Sequence, residues 1–213
     1  MSHLPAWIGQ HLAAVRAIVV LTVITGAIYP LVMLGIGQAV FRNQANGSPV
    51  SVNGTVVGSS LLCQEFTDAK GNPLPQYFQP RPSTASSSSV SATTGKTGYG
   101  CDPLYSGASN LGASNPVLLR NIDTRKAAYA KLNGVPLASV PPDAVTTSGS
   151  GLDPYISPQN AADQVGRVAA ARHLPVSEVQ SLVGKYTQSR VIGFLGEPRV
   201  NVLLLNIALD QLK

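Results

Sequence analysis

Residues Ala17 to Phe41 read AIVVLTVITGAIYPLVMLGIGQAVF, 25 positions without a charge between Arg16 and Arg42. As a helix this run is about 37 Å long, against a bilayer hydrocarbon core of roughly 30 Å. It predicts one membrane-spanning helix over 17–41. The apolar core of a cleaved signal peptide is about 7–15 residues, and this run is longer, so it reads as an uncleaved anchor. No ionisable group lies within it, so this helix alone forms no ion path or proton relay.

Upstream, residues 1–16 are too few to fold alone and read as a short cytoplasmic N-terminus. Downstream, residues 42–213 form a polar, globular stretch of about 170 residues, long enough to bury a core without a metal or dense disulfides. Orientation is not decided by Arg16 against Arg42, which tie under the positive-inside rule. The absence of acids before Ala17 favours a cytoplasmic N-terminus. The large domain is rich in Ser, Thr, Asn and Gly and sparing in charge, and its two cysteines suit an oxidising compartment. It is expected outside the cytoplasm.

Within the membrane run, Thr22 and Gly26 lie four apart, with Tyr29 and Pro30 on or near the same face. Small residues at that spacing let another helix approach closely, and proline kinks a span. A lone anchor also tolerates both residues.

The domain reads as mixed α+β, helix-rich in its second half. Val50 to Val57 alternates around Asn53-Gly54, a hairpin signal. From Ser83 to Thr97, ten of 15 residues are Ser or Thr, which predicts a mobile surface loop. Asn115-Pro116 opens a helix that stops at Gly134, with Leu118, Ile122, Tyr129 and Leu132 inward and Arg120, Arg125, Lys126 and Lys131 on a solvated face. A second helix runs from Ser157-Pro158 to about His173 and buries Ala161, Val165, Val168 and Ala169. A third covers Pro175 to Lys185. Val200 to Leu212 reads as a buried strand leading into a helix.

Little in the chain points to chemistry. The net charge is +5, but the cations are scattered, with only Arg125 and Lys126 adjacent, so no nucleic-acid footprint is expected. No His/Cys cluster has metal-ligand spacing, and the ten acids form no close pair. Gly95-Lys96-Thr97 has the tail of a phosphate-binding loop, but Val90 stands where the motif needs glycine. Thr147 to Gly151 lacks the hydrolase-elbow spacing, and His173 reads as a helix-closing residue rather than the base of a Ser150/Asp153 triad.

The densest motif is Ser148-Gly149-Ser150-Gly151-Leu152-Asp153-Pro154-Tyr155-Ile156-Ser157-Pro158, leading into Gln164-Val165-Gly166-Arg167-Val168-Ala169 and Ala171-Arg172. The glycines permit tight turns, Asp153 can make an Asx turn, and Ser157-Pro158 caps a helix. This run resembles the C subunit of the bacterial Kdp-type ATP-driven potassium transporter. The likeness covers nearly the whole chain. Gly26-Ala27-Ile28-Tyr29-Pro30, Gly58-Ser59-Ser60-Leu61 with Gln64 and Phe66, Tyr77 to Ser83, Ser109 to Gly112, and Gly196 to Leu203 with Leu205-Asn206 all resemble that family's blocks, in order.

The resemblance implies a single-pass accessory subunit of the bacterial inner membrane, not an enzyme by itself. It implies a channel-like potassium-translocating subunit and a P-type ATPase subunit as partners, which handle potassium, ATP and magnesium. This chain itself is expected to hold no cofactor. Arg81 and Pro82, with Ser148, Gly149, Ser150, Gly151, Leu152, Asp153, Pro154, Ser157 and Pro158, are expected as rigid structure or partner contact; sequence alone leaves both open. The family's subunit is variously read as raising nucleotide affinity or as covering the ion entrance. The rival readings are a membrane-anchored serine hydrolase using Ser150, and a solitary binding protein. Cys63 stands where the family commonly has glycine, and Cys101 lies in a longer insertion. Two such cysteines outside the cytoplasm suggest a disulfide; the alternative is two small buried apolar residues.

Overall fold

The structure is a computed structural model that describes residues 5–86 and 100–212. Most of the Ser/Thr-rich stretch, and with it Gly95-Lys96-Thr97, lies outside the described residues. The chain divides into two compact units, Met1–Ser48 and Pro49–Lys213, and each is described by itself.

The first unit is a helix from Ala6 to Val40, 35 residues and the one described helix long and apolar enough to cross a membrane. It comprises α1 (Ala6–Val23), one π-turn (Ile24–Ile28) and α2 (Tyr29–Val40). It begins well ahead of the apolar run, because Ala6 to Arg16 is built largely of good helix formers and Pro5 stands directly before it. At about 52 Å the helix exceeds the hydrocarbon core. The π-turn has an identifiable cause. Pro30 has no N–H to donate, and its ring would meet the carbonyl of Gly26, four residues back, so the turn between them widens. Thr25 Oγ1 donates to the Leu21 carbonyl at 2.7 Å within the same stretch. After Phe41 a short helical turn, α3 (Arg42–Ala45), follows, and the Gln38 and Asn46 amides pair at 3.2 Å. The first compact unit extends to Ser48.

The second unit opens with the expected hairpin, β1 (Pro49–Val52) against β2 (Thr55–Ser59). Asn53 and Gly54, at φ 50° and 80°, supply the two left-handed residues of the tight turn. The register shifts between Val50 and Ser51, a bulge that sets Val50 opposite Gly58. Gly58 sits closely against two side-chain ends: a Cβ there would lie 2.9 Å from both Gln64 Oε1 and Leu203 Cδ2, so these would have to shift.

Helix α4 (Pro116–Asn133) has the cap that its sequence announces. Asn115 Oδ1 accepts from the Val117 N–H at 2.8 Å, and left-handed Gly134 ends the helix. Leu118, Ile122, Tyr129 and Leu132 are half-buried. Arg125 departs from its expected solvated face: it is half-buried and donates Nη1 to the Val145 carbonyl at 3.1 Å. Helix α5 (Pro158–Arg172) starts on Ser157, whose Oγ accepts from the Asn160 N–H at 3.1 Å, and ends on left-handed His173. Ala161, Val165, Val168 and Ala169 are all buried.

Helix α6 (Val176–Tyr186) and helix α7 (Val202–Asp210) complete the core around a three-stranded antiparallel sheet. Its strands are β3 (Tyr155–Ile156), β4 (Thr187–Gln188) and β5 (Arg199–Asn201), in the order β3-β5-β4. Strand β5 runs straight into α7 through Asn201, whose Oδ1 accepts from the Leu204 N–H at 3.1 Å. The core consists of Ile156, Val165, Val168, Val179, Val200, Leu205 and Leu209, joined by one residue from outside any helix or strand, the fully buried Phe78.

Candidate functional site: the clamped segment around Phe78

Burying Phe78 contributes about 2–3 kcal/mol but drags an unpaired stretch of backbone into the core. Among the described residues Tyr77 to Ser83 pairs with no strand, and side-chain amides take the place of one. The Phe78 N–H donates to Asn206 Oδ1 and the Phe78 carbonyl accepts from Asn206 Nδ2, both at 2.9 Å. One residue on, the Gln79 N–H donates to Gln164 Oε1 at 2.7 Å, and Gln164 Nε2 donates to the Gln79 carbonyl at 3.1 Å. Asn206 sits on α7 and Gln164 on α5, both fully buried. The Gln79 side chain reaches back to the carbonyls of Phe66 and Leu74 at 2.8 and 3.1 Å.

Two arginines of α5 secure the approach to the segment. Arg167 Nη1 donates to the carbonyls of Pro75 and Tyr77 at 2.6 and 2.9 Å, while Nη2 donates to Gln164 Oε1 at 2.7 Å. Burial brings its guanidinium pKa down to about 10. Arg172 Nε donates to the Gln76 carbonyl at 2.7 Å, pairs with Asp210 at 2.6 Å, and stacks 4.8 Å from the Tyr77 ring centre. Beside them, Asp143 accepts from Ser157 N–H and Oγ, both at 2.8 Å, and from Asn160 Nδ2 at 2.9 Å. Asn160 Oδ1 in turn accepts from the Tyr129 hydroxyl at 2.9 Å. Burial first, and then the nearby carboxylates of Asp163 and Asp143, push the Tyr129 phenol well above its usual range.

The motif residues converge on the far end of the segment. Arg81 Nη1 pairs with Asp153 Oδ2 at 3.0 Å, and its Nε and Nη2 donate to the Thr146 carbonyl, each at 3.3 Å. Half-buried on both sides, this pair contributes about 1 kcal/mol at most, and its larger effect is on register. Asp153 Oδ1 accepts from the Tyr155 N–H at 3.0 Å, the Asx turn that the sequence suggests. Ser83 Oγ donates to the Gly151 carbonyl at 2.5 Å and accepts from the N–H groups of Ala85 and Cys101. Ser83 thus ties the first residues of the Ser/Thr-rich stretch to Gly151 and Cys101, and Ala85 is buried. Gly151, at φ 71°, fills a place that only glycine fits: a Cβ would lie 2.5 Å from the Gly107 carbonyl and 2.8 Å from Ala85.

Cys63 and Cys101 are joined as a disulfide with Cα atoms 5.4 Å apart, and the Cys63 N–H donates to the Leu152 carbonyl at 2.9 Å. An open cleft of about 230 Å³ runs beside the segment, lined by Glu65, Gln79, Arg81 and Leu132 among others.

The residues of the rival hydrolase reading are engaged elsewhere. Ser150 Oγ accepts from the Leu152 N–H at 3.1 Å, Asp153 is held by Arg81 and Tyr155, and His173 caps α5. Ser148 Oγ is buried without a hydrogen-bond partner among the described residues, while Gly149 and Ser150 are exposed. Thr22, Gly26, Tyr29 and Pro30 are exposed on the N-terminal helix. Asn206, Gln164, Gln79, Arg167 and Arg172 were not singled out individually by the sequence as clamp residues. The signal was there for two of them: Gln164 falls on the buried stripe of α5, and Asn206 interrupts an apolar run.

These features define a protein with one long apolar N-terminal helix and a domain in which the buried amides Asn206 and Gln164 and the motif pair Arg81–Asp153 are engaged in its own architecture. Residues 11–211 match the family described as KdpC, K+-transporting ATPase, c chain. The chain is 46% identical over 211 residues to the potassium-transporting ATPase KdpC subunit of Streptomyces coelicolor, covering 94% of this chain and 91% of the relative. It is 47% identical over 204 residues to that of Mycobacterium tuberculosis strain H37Rv, covering 95% and 98%. Against that of Kineococcus radiotolerans it is 48% identical over 184 residues, covering 86% and 84%. The chain belongs to the KdpC family.

Proposed function

We propose that this chain is a non-catalytic subunit of an ATP-driven potassium uptake complex, required for its assembly and stability. The observation that carries the reading is the family match over residues 11–211. The site agrees with it, because the motif residues around Arg81 are occupied in bracing one another. Potassium, ATP and magnesium are handled by the partners, a channel-like translocating subunit and a P-type ATPase subunit. The helix Ala6–Val40 crosses the inner membrane once and packs on a partner through Thr22 and Gly26, with Tyr29 and Pro30 nearby. The domain lies outside the cytoplasm, a placement supported by the Cys63–Cys101 disulfide, since such bonds persist in oxidising compartments. From there it acts at the ion entrance rather than on nucleotide, which is bound on the other side.

Purification of the tagged chain from its native membrane in mild detergent tests this. Recovery of a channel-like protein and a P-type ATPase, with potassium-stimulated ATP hydrolysis, is expected. A lone monomer would reject the reading. A Ser150→Ala chain is expected to assemble and support transport, contrary to the hydrolase alternative.

A further inference from the structure

Between β4 and β5 the chain makes a small projection. Val191 and Leu195 exchange both backbone hydrogen bonds, at 2.9 and 3.0 Å, and Arg190 pairs with Glu197 at its base at 2.7 Å. Every large apolar side chain on it points outward: Val191 is 59% exposed, Ile192 79%, Phe194 69% and Leu195 49%. Four large apolar side chains exposed within five residues form a cluster, where scattered single exposures would need no explanation. The tip is also held in a shape it would not choose. Ile192 is β-branched yet sits at φ 55°, followed by Gly193 at φ 82°. A β-branched residue in the left-handed region is strained and stays there only when its surroundings hold it.

The occupant follows from size, shape and attachment. A stable dimer of this chain needs about 800 Å² from each partner, more than the tip offers. A bilayer surface accepts any loose apolar loop and favours Trp and Tyr at the headgroups, and the tip has neither. A preorganised hairpin fits a shaped protein pocket instead. So small a contact suffices when a second contact on the same chain, the helix Ala6–Val40, already holds the partner at high effective concentration.

We propose that the tip at residues 191–195 is a plug that seats in an apolar pocket on another protein subunit of the transporter. The inference rests on the reading of this chain as a transporter subunit. Its test replaces Phe194 with a photoreactive benzoylphenylalanine in the full chain, produced with its transporter in native membranes. Irradiation is expected to join residue 194 to a different polypeptide subunit. Adducts to lipid alone or to a second copy of this chain, or no adduct while the chain still co-purifies with the transporter, would overturn the plug. In parallel, an Ile192→Ser/Phe194→Ser chain is expected to leave the detergent-purified complex about tenfold faster, with its own melting temperature unchanged. Retention equal to the parent would count against the plug alone. A parent chain that itself arrives without transporter subunits would overturn both readings.

Discussion

Asn206 pairs with both the backbone N–H and the backbone carbonyl of Phe78, although the two residues are 128 positions apart. A side-chain amide here does what a neighbouring strand does in a sheet. Replacing it by Asn206→Leu keeps the branched shape of the side chain but strands a buried donor and a buried acceptor, each costing about 1–3 kcal/mol. The melting temperature of the purified chain is expected to fall by at least about 5 °C. Gln164→Leu, which releases Gln79 and one Arg167 contact, is expected to do the same.

Gly151→Ala meets both a left-handed backbone and the Gly107 carbonyl. Its expected cost is about 2–4 kcal/mol by denaturant unfolding. Gly149→Ala, two positions away with nothing within 4 Å, is expected to stay within about 0.5 kcal/mol of the parent.

Closing a loop between residues 38 apart removes chain entropy worth about 4 kcal/mol in the simplest treatment. Reduction is expected to add two hydrogens to the measured mass and to lower the melting temperature, and Cys63→Ser/Cys101→Ser to melt like the reduced parent. An unchanged mass and melting temperature on reduction would rule the bond out.

Burial, and after it the charge of Asp143, raises the Asp163 carboxyl above its ordinary value of 3.8, against the hydrogen bond from Tyr129. The folded state therefore binds this proton more tightly than the unfolded chain. The stability that Asp163 contributes is fully present below pH 3.8 and is lost as pH rises from there through the raised value. Asp163→Asn is expected to melt higher than the parent at pH 7, and the gap is expected to close at pH values below the ordinary carboxylate range.

Gly26→Leu tests the membrane face. It widens the helix where Thr22 and Gly26 leave room, and it is expected to cut recovery of the complex about fivefold, roughly 1 kcal/mol of helix packing. The domain's own melting transition should not move.

Much of this fold is written locally. The caps Asn115 and Ser157, the Asn53-Gly54 turn and the apolar stripe of α5 each act within a turn or two of chain, so reading them needs no knowledge of distant partners. The same holds for the run into α7. The start of the N-terminal helix was less legible, because Ala6 to Arg16 is helical without being strongly apolar. Arg125 looked solvated for the opposite reason: the carbonyl that draws it in belongs to Val145, and spacing along α4 does not record it. The candidate site divides the same way. Its motif residues stood out as turn and cap chemistry, but that Arg81 meets Asp153, or that Phe78 is buried at all, depends on contacts across 72 and 128 positions.

The amide clamp also has a bearing on how the protein is made. Synthesis delivers Phe78 long before Asn206, at about 5–20 residues per second. Until α7 has emerged, the N–H and carbonyl of Phe78 lack the Asn206 amide that pairs with them. The domain cannot mature from its front end, and a chain broken off before Asn206 is left with an open core for proteases to find. Because that fastener lies on α7, closure around Phe78 waits until the ribosome has passed Asn206, 128 residues after the segment it holds.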